Sequence, residues 1–192
     1  MVGCGNAPMS IDMYLDGYSK LWNTDISSVV INIQNEKYPE MKWTVQDAMN
    51  TGLKENSMEC IIDKSLIDTL MCATKSAKQL KKFMDEMYRI QKPNTMFITF
   101  SLHQPHEVIK NFEPNNSKYH WKVDYYRIKS SRWNEDENRR TSVSHTLIVC
   151  EKFPLHITIP EESRVLKGTL TEEEFKLLQI KRFQVIGKYA YY

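Results

Sequence analysis

Gly3-Cys4-Gly5-Asn6-Ala7 constrains the fold of this chain more than any other stretch. Two glycines one residue apart allow a sharp turn at positive φ and leave the backbone open to a ligand. Such a turn normally closes a strand and leads into a helix. Only Met1 and Val2 precede it, so the sequence predicts a first strand cut short. Inner strands beside that gap would show unpaired edges.

Behind the turn, short apolar runs alternate with helical patterns. Lys20–Thr24, Met41–Val45, Glu59–Ile62 and Thr95–Phe100 read as strands, the third nearly continuous in the manner of a buried parallel strand. Ile11–Leu15, Ser27–Asn35 and Ser76–Gln91 read as helices. In the last, Leu80, Phe83, Met84, Met87 and Ile90 share one face, with Lys81, Lys82, Asp85 and Glu86 outward. Lys92-Pro93-Asn94 stops it. Alternation of this kind predicts an α/β fold, a Rossmann-like three-layer sandwich around a mostly parallel sheet. Later, 119–128 and 144–151 read as an antiparallel pair at one sheet edge, joined by a solvated polar loop over 129–142. The expected domain covers 1–152. Residues 153–192 read as an extension with a helix at 171–183, opened by a Thr171/Glu174 capping box.

The 192 residues fit one domain, and 26 basic against 24 acidic side chains leave a charge of +2. That balance argues against a nucleic-acid binder. No apolar run is long enough to span a bilayer. Cys4, Cys60, Cys72 and Cys150 form no C-x-x-C pair and read as reduced thiols. A soluble, cytoplasmic protein with no membrane partner is the expectation; oligomeric state is not legible.

Ligands of open α/β sheets lie at the carboxyl ends of the strands. Asp25, Asp47 and Asp63 each close a predicted strand, and Asp25 follows Gly5 by 20 residues, the spacing that brings a carboxylate to a ribose. A single such acid is as often a cap for the next helix; three in order behind a glycine turn are less easily accidental. Pro8 stands where a dinucleotide fingerprint has its third glycine, and no G-x-x-x-x-G-K-[ST] loop is present. A nucleoside without phosphates fits better, S-adenosylmethionine being the common one. His103 and His106 lack the partners of a metal site and read as pocket-lining or helix-capping groups, so no metal is expected.

The chain resembles the class I, seven-stranded S-adenosylmethionine-dependent methyltransferases, and within them the group that includes the elongation-factor and citrate-synthase lysine methyltransferases. Gly3-Cys4-Gly5-Asn6-Ala7 is similar to that group's G-C-G-N-S turn, and Asn23-Thr24-Asp25-Ile26-Ser27 to its N-x-D-I-S. Asp63-Lys64-Ser65-Leu66-Ile67-Asp68 is similar to D-K-G-T-L-D, with Ser65-Leu66 in place of Gly-Thr, and Ser101–His106 resembles S-L-x-Q-x-H. The likeness covers residues 2–110 and runs more loosely to 152. It implies methyl transfer from S-adenosylmethionine to a protein lysine, leaving S-adenosylhomocysteine. Gly3, Cys4, Gly5 and Asn6 would meet the methionine moiety, Asp25 and Ile26 the ribose, and Asp47, Ala48 and Met49 the adenine. Asp63 would face cofactor and acceptor, with Asp68 a second catalytic candidate. Two other readings stay open: an impaired enzyme kept as an interaction module, and a small-molecule methyltransferase.

Overall fold

In the computed structural model the described residues are 1–112, 119–134, 139–159 and 166–170, with side chains described for 1–112, 119–128 and 144–159. In chain order the elements are α1 (Met9–Leu15), β1 (Trp22–Asp25), α2 (Ser28–Lys37), β2 (Lys42–Val45) and β3 (Met58–Lys64). They continue with α3 (Leu66–Cys72), α4 (Ser76–Ile90), β4 (Gln91–Ser101), α5 (Pro105–Val108), a 3₁₀ turn (Ile109–Phe112), β5 (Trp121–Asn134), β6 (Arg139–Lys152) and β7 (Leu166–Leu170).

The sheet is built in two parts. β1 and β2 pair in parallel, and a five-stranded part runs in the order β3-β4-β6-β5-β7. The first residues join them. Val2 bridges Thr24 on one side and Asp63 on the other, both in parallel. The Val2 N–H donates to the Ile62 carbonyl at 2.9 Å, and the Cys4 N–H donates to the Thr24 carbonyl at 2.9 Å. The chain therefore leaves this position in opposite directions across the sheet, toward β1 and toward β3, which is the topological switch that opens a ligand crevice.

Period-two alternation sends neighbours to opposite layers. Ile61, Phe97, Ile148 and Cys150 pack with Ile67, Phe83, Met84 and Met87 of α3 and α4. Ile62, Ile98, Leu147 and Val149 pack instead with Met9 and Met13 of α1. Beyond them, Ile31 of α2 meets Cys4, Met41 and Trp43. Helices thus cover both faces, as the alternating pattern predicts.

Four expectations need correction. Glu86 does not face solvent: it is 8 % exposed, because its carboxylate serves the loop after β2. β4 begins at Gln91, not Thr95; a bulge around Pro93, which lacks an N–H, shifts its register against β3 between Met58 and Cys60. Residues 129–134 are not loop, since β5 and β6 stay paired from Lys129↔Ser144 to Asn134↔Arg139. Polar sequence signals solvent, and a two-stranded ribbon satisfies its backbone without an apolar face. Nor is the antiparallel pair the sheet edge: β7, from the expected extension, pairs in parallel with β5 at Tyr125↔Leu166. Both faces of β5 are also packed, with Trp121 and Val123 in one core and Tyr126 and Ile128 in the other. The helix expected at 171–183 and its capping box lie outside the described residues.

Candidate active site

The carboxyl ends of Val2, β1, β2, β3 and β4 share one edge, and the residues singled out in the sequence collect there. Gly3 and Gly5 adopt φ of 57° and 53°. At Gly3 a Cβ would sit 2.9 Å from Cβ of Leu66, so this glycine lets the turn press on the start of α3. At Gly5 a Cβ would meet nothing within 4 Å, which leaves that side of the main chain open to a ligand.

Asp25 holds the turn in place. Its Oδ2 accepts the Gly5 N–H at 2.8 Å and its Oδ1 accepts the Ser27 N–H at 2.9 Å. Each carboxylate oxygen keeps further lone-pair capacity. The next strand end lies alongside, because the Gln46 N–H donates to the Asp25 carbonyl at 2.9 Å. Asp47 closes an Asx turn, Oδ1 accepting the Met49 N–H at 2.8 Å. Ala48 and Met49 are half-buried against the main core. Cys4 is buried with Ile31 and Trp43, and burial followed by the Asp25 charge pushes its thiol up to about 12. Only its main chain is available to a ligand. Asn6 is exposed, and so is Ile26, at 69 %.

Asp63 and Asp68 do different work. Asp63 is fully buried; Oδ1 accepts the Leu66 N–H at 2.7 Å, and Oδ2 accepts the Ile67 N–H at 3.2 Å and the Thr99 hydroxyl at 2.6 Å. It caps α3 from below. Burial raises its carboxyl to about 7, partly offset by the Thr99 hydroxyl and the two N–H groups. Asp68, in the first turn of α3, takes a short hydrogen bond from Ser101 Oγ and the Leu102 N–H at 2.9 Å. It ties α3 to the loop leaving β4.

That loop is rigid. Ser101 Oγ accepts the His103 N–H at 3.0 Å, and the His103 carbonyl accepts the Thr146 hydroxyl at 2.7 Å. Glu107 Oε2 accepts the Gln104 N–H at 2.9 Å and lies 3.6 Å from His103 Nδ1. Gln104 also hydrogen-bonds Arg127 of β5. Among the described residues no group of three or more His, Cys, Asp or Glu side chains could hold a metal.

Several positioning residues escaped the sequence reading. Thr51 donates both its N–H and its hydroxyl to Glu86 Oε1, and Gln46 Nε2 donates to the Thr51 carbonyl at 2.7 Å, which fixes the Asp47–Met49 turn from α4. Thr99 and Ser101 support the two acids. Gln104 ahead of Pro105, with Glu107 two residues beyond that proline, carried a local signal, that of a helix start.

A fold with these elements, ordered around a glycine turn and an acid at the next strand end, is that of a nucleoside-binding α/β enzyme. The methyltransferase domain family matches residues 1–99, more than half of the chain, and the chain belongs to that family, whose cofactor is S-adenosylmethionine. It is 30 % identical over 141 residues to the eEF1A lysine and N-terminal methyltransferase of Xenopus laevis, an alignment that takes in 70 % of this chain and 20 % of that protein. It is 22 % identical to the EEF1A lysine methyltransferase 4 of Mus musculus, over 64 % of this chain and 52 % of that one. This chain therefore spans between a fifth and about half of the length of these relatives. Among solved structures, the N-methyltransferase NodS of Bradyrhizobium japonicum in complex with S-adenosyl-L-homocysteine shares the fold at a TM-score of 0.55 and 13 % identity, covering 79 % of this chain and 75 % of that one.

The structure's own residues fit such a cofactor. The open flank of Gly5, the spare lone pairs of Asp25 and the Asx turn at Asp47 follow one another along one edge. No described helix is long and apolar enough to cross a membrane.

Proposed function

We propose that the chain transfers a methyl group from S-adenosylmethionine to a lysine side chain of a protein, with an eEF1A-type elongation factor as the first acceptor to test. The observation that carries the reading is the Gly5–Asp25 hydrogen bond, which locks a glycine turn open on one flank against the acid of the next strand. The names of the relatives support the choice of acceptor.

In this reading Gly3–Asn6 pass along the methionine moiety, Asp25 accepts from the ribose hydroxyls, and Asp47–Met49 receive the adenine. The bound cofactor supplies an electrophilic methyl on a sulfonium, so the protein has to align an uncharged amine with it. Asp63 sets the height of α3 against the glycine turn rather than touching the reacting atoms. Asp68 fixes the loop after β4, where the acceptor enters. The enzyme works in the cytoplasm and needs neither nucleic acid nor membrane as a partner.

Asp25→Ala should weaken S-adenosylhomocysteine binding by at least about 1.5 kcal/mol, roughly tenfold in Kd, through loss of charge-assisted bonds to ribose and turn. Isothermal titration measures it; an unchanged Kd removes Asp25 from the site. Radiolabelled methyl transfer to purified eEF1A tests the acceptor.

A further inference from the structure

The loop after β4 carries an imidazole at the carboxyl end of that strand. His103 lies two residues beyond the end of β4, on the edge that carries Gly5, Asp25 and Asp68. Its main chain is held at both ends: the N–H by Ser101 Oγ at 3.0 Å and the carbonyl by the Thr146 hydroxyl at 2.7 Å. Ser101 is in turn held by Asp68. The ring is half-buried, with 31 % of the side chain exposed, and its Nδ1 faces Glu107 Oε2 at 3.6 Å. Glu107 cannot swing freely, because the same oxygen accepts the Gln104 N–H at 2.9 Å. Leu102, the residue before His103, is 58 % exposed.

We propose that His103, oriented by Glu107, is the catalytic base that deprotonates the acceptor lysine. The proposal rests on the lysine reading above. A carboxylate beside Nδ1 favours the proton on that nitrogen and leaves the lone pair on Nε2. The lysine ε-ammonium gives a proton to Nε2, and the N–H pair stays on nitrogen. That pair forms the new N–C bond with the methyl group as the S–C pair returns to sulfur. The products are a methylated ammonium, S-adenosylhomocysteine and an imidazolium whose charge Glu107 neutralises. The imidazolium proton then leaves to water from the exposed side of the ring.

The other charged groups around the ring act in known directions. Glu107 is held below the usual carboxylate range, first by the Gln104 N–H and then by the neighbouring His103 and His106. Arg127 is held on Gln104 from β5, and Asp68 reaches His103 only through Ser101. Among the described residues, Glu107 is thus the carboxylate paired with the ring.

The test uses His103→Gln and Glu107→Gln in the full chain, with eEF1A as acceptor. For His103→Gln, kcat at pH 7.5 should fall about 100-fold, within the usual range for loss of a general base. Its Kd for S-adenosylhomocysteine should stay within about twofold, since the ring meets the acceptor and not the cofactor. Most of the lost rate should return near pH 10, where lysine, with an ordinary pKa of about 10.4, deprotonates unaided. Glu107→Gln should lose about tenfold in kcat with the same cofactor affinity, by loss of ring orientation. Independently of turnover, ¹⁵N NMR of the imidazole, assigned by its disappearance in His103→Gln, should show the Nδ1–H tautomer in the wild type and a mixture in Glu107→Gln. An undiminished kcat, a loss that persists at pH 10, or a matching loss of cofactor affinity overturns the proposal. So does a mixed tautomer in the wild type. If wild-type protein leaves eEF1A unmethylated, the acceptor reading fails, and the tautomer result still decides whether Glu107 sets up a base.

Discussion

Single residues at the start of α3 carry an unrelieved conformational cost. Ser65 sits in the left-handed region at φ 67°, with no side-chain bond to the helix it precedes. In the D-K-G-T-L-D segment that Asp63–Asp68 resembles, glycine stands at this position. A non-glycine residue there costs about 1–2 kcal/mol, and glycine's extra freedom in the unfolded chain returns part of that. Ser65→Gly should therefore stabilise the protein by about 0.5–1 kcal/mol, read as a shift in denaturant midpoint at constant m-value. The hydrogen bonds from Thr69 to the Ser65 carbonyl do not involve the side chain and should survive. The serine thus reads as a departure that the fold tolerates, not one that the site requires.

At the scale of elements, α4 reaches past its core face to hold the loop that follows β2. Glu86 accepts the Thr51 N–H and hydroxyl and a two-pronged bond from Arg89, with Nε and Nη2 at 2.8 and 2.7 Å. Arg89 first, helped by Thr51, holds its carboxyl down at about 2 against an ordinary 4.5. A depressed carboxylate adds stability above its unfolded pKa and loses it as pH falls through the folded one. Acidification from about pH 4.5 to 2 should accordingly remove up to about 3 kcal/mol through this group, using 1.36 kcal/mol per pKa unit. Glu86→Gln should be less stable at neutral pH and flatter across that window, as urea melts at stepped pH would show. The same residue marks a limit of sequence reading. Helical spacing put Leu80, Phe83, Met84, Met87 and Ile90 on the core face correctly, and all five are buried. It put Glu86 outside, because the partner that buries it lies 35 residues upstream in Thr51. The pairing of Asp25 with the glycine turn was legible because a glycine turn followed by an acid 20 residues on is a recognisable spacing. Thr99 beneath Asp63 and Ser101 beneath Asp68 were not, since each bond spans more than 30 residues. The β5–β6 ribbon was half legible: its apolar half read as strand and its polar half as loop.

For the whole molecule, the weight of the packing lies on the β3 side. Phe83, Phe97, Phe112 and Trp121 form an aromatic cluster. Trp121 Nε1 donates to Gln91 Oε1 at 2.7 Å, and the buried Lys152 donates to Asn56, Tyr88 and Gln91 oxygens at 2.7–2.8 Å. The β1–β2 pair has a much smaller core of Cys4, Ile31, Met41 and Trp43. Its link to the rest of the sheet runs through the Met1–Cys4 segment, with Val2 bridging both sides. Amides of β1 and β2 should exchange with deuterium faster than those of β3, β4 and β6 in the ligand-free protein. Saturation with S-adenosylhomocysteine should slow the β1–β2 amides most; equal protection on both sides would show one cooperative unit.

The Val2 bridge has a thermodynamic corollary. A sheet whose two parts meet through the short Met1–Cys4 segment would open first along that seam, with β1 and β2 leaving together while the larger part stays folded. In the proposed binding mode the cofactor would cross the same seam, from the glycine turn to Asp25 and Asp47, and so would act as a suture between two halves with unequal cores. Its intrinsic affinity is then divided between contact and closure: the observed Kd is weakened by the fraction of molecules in which the seam is open. Substitutions that tighten the small core around Trp43, far from any ligand atom, would raise affinity for the nucleoside without adding a contact to it.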